Sequence, residues 1–170
     1  LKQDIALYYI WDYFVNNDRL QINDNLVCRD AQIRIAGLKL LGDGSISGRT
    51  AWMDRPYKNS KNEYGMPVCS EELINSAIAF CKVNSLQLLM HAMGKRTIDR
   101  IIKHVENEEP WTIDSVPFLR VEHVTDPSED AIMKASQKGI MFVTQPNFLY
   151  AEIEAYVRNL GHEWLEKTYP

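Results

Sequence analysis

The sequence predicts an α/β fold whose strands run parallel. Two observations support this prediction: short apolar runs alternate with longer amphipathic segments along most of the chain, and capping residues open several of those segments. Alternating strands and helices form parallel sheets with right-handed helical crossovers. The sequence shows no internal repeat and no low-complexity segment that would interrupt the alternation. We therefore expect one domain in which helices cover a parallel sheet.

The amino-terminal part of the chain predicts one helix, two strands and a long loop. Residues 3–17 carry apolar side chains at helical spacing, which favours a helix. Residues 18–28 give a weak strand signal, and the Ile- and Leu-rich residues 32–41 predict a buried strand that ends at a Gly-Asp-Gly turn. Residues 42–69 contain several glycines and prolines without periodicity, so we expect a long loop, which in a compact domain is usually functional or mobile.

The remaining residues predict a regular succession of helices and strands. Ser70 followed by two glutamates is typical of a helix start, and Leu73, Ala77 and Cys81 would form the apolar face of that helix. The later predicted elements are a strand at 85–91, a helix at 95–107, a strand at 118–123, a helix from 126 to about 137, a strand at 139–146 and a helix at 150–167.

The composition excludes several classes of function. The chain has 170 residues, of which 45% are hydrophobic and 25% charged, with a formal net charge of −4. No basic stripe could neutralise nucleic-acid phosphates, and no apolar run approaches the roughly 20 residues of a membrane span. The three cysteines are scattered without a CxxC pair, which favours a reducing, cytoplasmic location. We therefore expect no nucleic-acid or membrane partner.

Three polar residues lie at the carboxyl ends of predicted strands: Lys39, His91 and His123. Parallel α/β folds build their sites at that edge of the sheet. A lysine among apolar residues needs a partner, a shifted pKa or a modification, unless its stem reaches solvent. Strand alternation places His123 on the face of Leu119 and Val121. A single histidine at a strand end is more often a hydrogen-bonded structural residue than a metal ligand, so both interpretations stay open here.

Several segments resemble amidohydrolase family 3, the YtcJ-like branch of the metal-dependent amidohydrolase superfamily. The segments occur in the family's order. GLKLLGDGSISGRTA at 37–51 resembles VKLFADGSLGSRTA, HAMGKRTID at 91–99 resembles HAIGDRAID, and RVEHV at 120–124 resembles RIEHA. Further along the chain, FVTQPNF at 142–148 resembles SVQPxH, and LGHEW at 160–164 with Tyr169 and Pro170 resembles LGxER…YP. The resemblance covers roughly residues 35–170.

The resemblance implies a (β/α)8 TIM barrel, of which this chain would contain about strands 3 to 7 with their helices. A whole barrel needs about 250 residues. We therefore expect residues 1–170 to form a partial barrel domain, a fragment that lacks part of the fold. Open sheet edges pair readily with other chains, so the fragment is expected to self-associate.

The resemblance also implies a metal site made by Lys39, His91 and His123, which match the family's ligands on the fourth, fifth and sixth strands. A carboxylated lysine and neutral imidazoles would hold one or two zinc-class ions. The parent enzyme would use metal-activated water to hydrolyse an amide-type C–N bond in a small molecule. The family's His-x-His pair and its catalytic Asp have no counterpart here, so we expect no catalytic residue and no activity in the fragment.

Residues beside strand ends and loops are candidates to shape the substrate pocket: Asp43, Ser45, Arg49 and Gln145. The alternative interpretation of Asp43 is that it forms part of the turn and has no role in the pocket. Lys95 stands where the family has Asp, which alters the charge near His91 and removes a carboxylate that could orient that ligand. The alternative function is a stand-alone α/β binding or interaction module without metal, derived from a hydrolase.

Overall fold

The structure, a computed structural model, describes residues 3–15, 27–28, 30–112 and 116–168. Its strands are β1 (Ile5–Ile10), β2 (Ile33–Leu41), β3 (Gln87–Ala92), β4 (Leu119–His123) and β5 (Met141–Val143). Its helices are α1 (Trp11–Val15), α2 (Glu71–Asn84), α3 (Lys95–Val105), α4 (Glu129–Lys138), α5 (Pro146–Leu160) and α6 (His162–Thr168). The five strands form one parallel sheet in sequence order, with β1 and β5 as the edges of the described sheet. The predicted α/β fold is confirmed.

The helix predicted at 3–17 is wrong for its first part. Residues Ile5–Ile10 form β1, and the described helix covers Trp11–Val15 alone. The segment IALYYI is rich in isoleucine and tyrosine, which favour strands, and it pairs in parallel with β2, so tertiary pairing overrides the helical spacing. Residues 16–26 lie outside the described residues, as does nearly all of the strand predicted at 18–28.

Two later boundaries differ from the prediction. The strand predicted at 139–146 is limited to Met141–Val143, because the chain enters α5 at Pro146, and proline is favoured in the first turn of a helix. The helix predicted at 150–167 is two helices, separated at Gly161, where φ is +96°. None of the helices in the described ranges is long and apolar enough to cross a membrane.

The main core lies between one face of the sheet and the helices. The sheet residues that fill it are fully buried and belong to three strands: Leu38, Leu40, Leu88, Met90, Leu119 and Val121. Helix α3 packs Ile98 and Ile101 against them. Because neighbouring strand residues point to opposite faces, this core directs Lys39 and His91 to the other face of the sheet.

Residues 42–69 form neither helix nor strand, as predicted, but the loop is well packed. It contributes to a second core with the turn after β3 and with α5 and α6: Ile46, Ala51, Met53, Tyr57, Met93, Tyr156 and Trp164. The Asn159 side-chain amide of α5 donates hydrogen bonds to the carbonyl oxygens of Ile46 (2.8 Å) and Ser47 (3.1 Å). The loop therefore reaches from the end of β2 to the helices that follow β5.

Candidate metal centre

The carboxyl ends of β2, β3 and β4 carry the residues predicted as metal ligands. The rings of His91 and His123 meet edge to face, with their centroids 4.5 Å apart. Lys39 is half-buried near the end of β2, and its charge is close enough to lower the pKa of His123. Within the described residues, no three His, Cys, Asp or Glu side chains cluster as metal ligands.

One ring nitrogen of His91 is held by the protein. Its Nε2 lies 2.8 Å from the carbonyl oxygen of Gly44, and because a carbonyl only accepts, the Nε2–H donates. Oδ1 of Asp43 lies 3.5 Å from the same nitrogen. In the neutral ring, the lone pair is then on Nδ1. The loop after β2 thus sets the tautomer of His91 and leaves the lone pair of Nδ1 available to a metal ion.

His123 is held through its other ring nitrogen. Its Nδ1 donates to Oε1 of Gln145 at 2.6 Å, which leaves the lone pair of the neutral ring on Nε2. The Phe148 ring stacks on the imidazole, with centroids 5.3 Å apart and an interplanar angle of 16°. Burial lowers the pKa of His123, and the neighbouring His91 and Lys39 lower it further. These effects favour the neutral ring, which is the form that binds metals.

The backbone at the end of β4 departs from a regular strand. His123 and Val124 have φ values of +77° and +43°, in the left-handed region that β-branched residues rarely adopt. The Val124 N–H still donates to the Ala92 carbonyl oxygen (3.0 Å), which holds this segment on β3. The face predicted for His123 is therefore wrong: its ring contacts His91 rather than joining the core residues of β4. Such conformations cost about 1–3 kcal/mol each and occur preferentially at functional sites.

Asp43, a predicted pocket residue, has a fully buried side chain beside His91. Its Oδ1 accepts a hydrogen bond from the Met93 N–H at 3.0 Å, and its Oδ2 accepts from Trp52 (3.0 Å) and Gly94 (2.9 Å). These bonds join the loop after β2 to the turn after β3. The carboxylate therefore supports the segment that carries His91.

The other two predicted pocket residues of this loop take part in its own network. The Ser45 hydroxyl accepts a hydrogen bond from the Gly48 N–H at 3.1 Å. Arg49 pairs with Glu63 at 2.9 Å, and its guanidinium lies over the Tyr57 ring, 5.4 Å from the centroid. The structure thus brings Gln145 into contact with a predicted ligand, whereas the contacts of Ser45 and Arg49 lie within the loop.

Lys95 has a partner on its own helix. It forms an ion pair with Asp99 at 2.6 Å, and this hydrogen bond raises the pKa of Lys95. A carboxylate is nevertheless present beside His91, because Asp43 lies 3.5 Å from its Nε2. The replacement of the family's Asp by Lys95 therefore does not leave this histidine without a nearby carboxylate.

Two residues that contact the candidate ligands were not predicted from the sequence. The Gly44 contact uses a backbone carbonyl, for which a sequence carries no signal. Phe148 could have been found, because it lies three residues after Gln145, where the first turn of a helix directs its side chain back toward the strand ends.

Solved structures share the fold of this chain. Two uncharacterized metal-dependent hydrolases share it, from Pyrococcus furiosus (TM-score 0.74, 23% identity) and Pyrococcus horikoshii OT3 (TM-score 0.71, 24% identity). The superpositions cover 99% and 98% of this chain but 34% and 32% of the two hydrolases. The described sheet of five strands is therefore an incomplete form of their barrel.

The chain belongs to the amidohydrolase family, whose sequence profile matches residues 14–170. It is 20% identical over 137 residues to YtcJ, a protein of Bacillus subtilis (strain 168) named as a candidate amidohydrolase. It is 25% identical over 129 residues to LONG AFTER FAR-RED 3 of Arabidopsis thaliana. These matches cover 81% and 76% of this chain, which spans about a quarter of the length of these relatives, 25% and 22%. The family resemblance found in the sequence is confirmed.

Proposed function

We propose that this chain is part of a metal-dependent hydrolase that cleaves an amide-type C–N bond in a small molecule. The observation that carries the proposal is the contact of His91 with His123 at 4.5 Å, while a protein oxygen anchors one nitrogen of each ring. Metal-binding histidines are commonly anchored in this way. Membership of the amidohydrolase family supports the class of reaction. All of residues 1–170 are assigned to one partial barrel domain.

The donor set suits one or two divalent ions of the zinc class. His91 offers Nδ1 and His123 offers Nε2, and imidazole nitrogens are common zinc ligands. Lys39 contributes as a carbamate, which forms when its amine nitrogen bonds to the carbon of carbon dioxide and releases a proton to solvent. The carbamate shares one negative charge between two oxygens, which suit divalent cations. When bound, the ion would polarise the scissile carbonyl and lower the pKa of a water molecule.

The surrounding residues hold the donors and shape the pocket. The Gly44 carbonyl and Gln145 Oε1 maintain the two ring tautomers. Asp43, Ser45 and Arg49 shape the substrate pocket through the loop that carries them. The proton transfers of the reaction belong to an aspartate outside these residues, so we expect the chain alone to show no hydrolysis.

A cytoplasmic location is part of the proposal because the three cysteines are free thiols: Cys28, Cys69 and Cys81. Free thiols persist in reducing compartments. Burial raises the pKa of Cys81 to about 12 and also raises that of Cys69, so these two thiols remain protonated and unreactive.

Zinc content is the test of the proposed centre. Plasma emission on the chain, incubated with zinc and bicarbonate and then freed of excess metal, should show near-stoichiometric zinc. Lys39→Ala and His123→Ala should each lose most of it, because each removes one of three donors. Lys103→Ala and His162→Ala are matched controls at exposed positions and should retain zinc.

Two outcomes would contradict this proposal. Zinc retained equally by Lys39→Ala, His123→Ala and the controls would place the metal elsewhere. Zinc absent from every sample would favour the alternative, an α/β binding or interaction module that works without metal.

We also propose that the isolated chain associates with itself through its sheet edges. Ile5, Leu7 and Ile10 of the edge strand β1 remain 43%, 42% and 40% exposed. Apolar side chains on an unpaired edge favour pairing with another chain. Light scattering during size-exclusion chromatography should therefore show species above 19.7 kDa. Leu7→Lys should shift them toward monomer, whereas Val83→Lys, at an exposed site on α2, should not. A monodisperse wild-type monomer would refute this proposal.

A further inference from the structure

A cavity opens beside His123, between the connections that follow β4 and β5. Its volume is about 370 Å³, near the lower end of the range for small-molecule sites. Val124 and Thr125 are buried at its base, whereas Thr144 and Pro146 are exposed at its entrance. The cavity therefore has room for one ring-sized part of a ligand and is open to solvent on one side.

The walls of this cavity are largely without charge. Among the described residues that line it, His123 is the single ionisable one. The neighbouring cavity, of about 590 Å³, differs because charged side chains line it: Asp54, Arg55, Lys95, Asp126, Glu129 and Lys167. Pro127 and Thr168 line both cavities and divide them. A charged group held within these walls would leave water without gaining an ion-pair partner from the lining side chains, so the walls favour an uncharged group.

Phe148 connects the cavity to the candidate metal centre. Its ring stacks on His123 at 5.3 Å and also packs against the second core, which includes Tyr156 and Trp164. Because the ring is supported on two sides, it forms a fixed wall of the cavity. An aromatic ring of a ligand can make offset-stacked or edge contacts with such a wall.

We propose that this cavity binds an uncharged, apolar substituent of the substrate, about as large as an aromatic ring, and that Phe148 determines this specificity. The inference rests on the proposed function, since the scissile amide would lie beside His123 with its substituent in the cavity. The substrates are then amides that carry an arylalkyl or similar apolar group, rather than amides of charged acids.

The test compares phenylacetamide with succinamate, an anionic amide, by saturation-transfer NMR on the 170-residue chain. Phenylacetamide should bind and succinamate should bind at least about tenfold more weakly. Phe148→Ala should weaken phenylacetamide binding roughly tenfold and reduce the preference between the two probes. Tyr150→Ala, at an exposed aromatic residue of the same helix, should change neither value.

Thr144→Trp provides a second variant if Phe148→Ala does not fold. Thr144 is exposed at the entrance, so an indole there should block the cavity without disturbing the core. Equal binding of the two probes, no binding of phenylacetamide, or unchanged binding in folded Phe148→Ala or Thr144→Trp would overturn the inference. The zinc experiment separates the two failures, because zinc bound through Lys39 and His123 without phenylacetamide binding leaves the proposed function standing.

Discussion

Asp43→Ala should lower the free energy of unfolding by about 4 kcal/mol, and Asp43→Asn by about 2 kcal/mol. The buried carboxylate accepts hydrogen bonds from the backbone N–H groups of Trp52, Met93 and Gly94. Alanine leaves all of these donors without their partner, and each buried unpaired donor costs about 1–3 kcal/mol. Asparagine retains one oxygen for the Trp52 and Gly94 donors, but its amide N–H group then faces the Met93 N–H.

Equilibrium unfolding in urea measures these differences. Asp30→Asn is the control, because Asp30 is exposed and its replacement should change stability by less than about 0.5 kcal/mol. Asp43→Asn should also bind zinc more weakly than the wild type, since the turn that positions His91 loses an anchor. Wild-type stability in Asp43→Ala would show that these hydrogen bonds make no net contribution.

Gly37→Ala should lower the free energy of unfolding by about 3 kcal/mol. A Cβ at this position would lie 2.0 Å from the carbonyl oxygen of Gln87 on β3 and 2.7 Å from a ring carbon of Tyr8 on β1. The close contact on β3 is backbone, so rotation of a side chain cannot relieve it. β2 would have to move away from β3 at the start of their pairing, where Gly37 faces Gln87.

Gly139→Ala is the matched control for this substitution. Gly139 has φ +67°, but a Cβ there would meet no atom within 4 Å. Its replacement should therefore cost about 1 kcal/mol from backbone conformation alone. Urea unfolding of the two variants separates steric exclusion from conformational strain. Equal losses in both would mean that the sheet accommodates a methyl group at Gly37. Zinc binding should fall in Gly37→Ala because Lys39 lies on the displaced strand.

The fold was predictable where the signal is local. The strand at 32–41 follows from one buried apolar run, and the helix after Ser70 follows from its cap, whose hydroxyl accepts from the Leu73 N–H at 3.2 Å. Residues Ile5–Ile10 were predicted as a helix because their spacing fits one. Their strand depends on pairing with residues 33–39, and no local pattern contains that information.

The candidate site was also predictable from the sequence only in part. Lys39, His91 and His123 could be proposed from their positions at strand ends and from the family resemblance. The tautomers of the histidines depend on a backbone carbonyl and on a glutamine from another strand end. The orientation of His123 depends on a left-handed backbone, which strand alternation does not anticipate. The sequence therefore indicates which residues form the candidate site, whereas the tertiary structure sets the orientation of their side chains.

The second core has a consequence for the order of folding. Asn159 bonds to Ile46 and Ser47 across 113 and 112 residues, so this contact closes a long loop between described parts of the chain. Long-range closures carry a large entropy loss and slow folding. The sheet can pair from neighbouring segments, and the Asp43 hydrogen bonds join the loop to the turn after β3. We expect residues 42–69 to complete their packing only when α5 has formed. Because the same loop supplies the Gly44 carbonyl to His91, we expect the candidate ligands to acquire their final geometry late in folding.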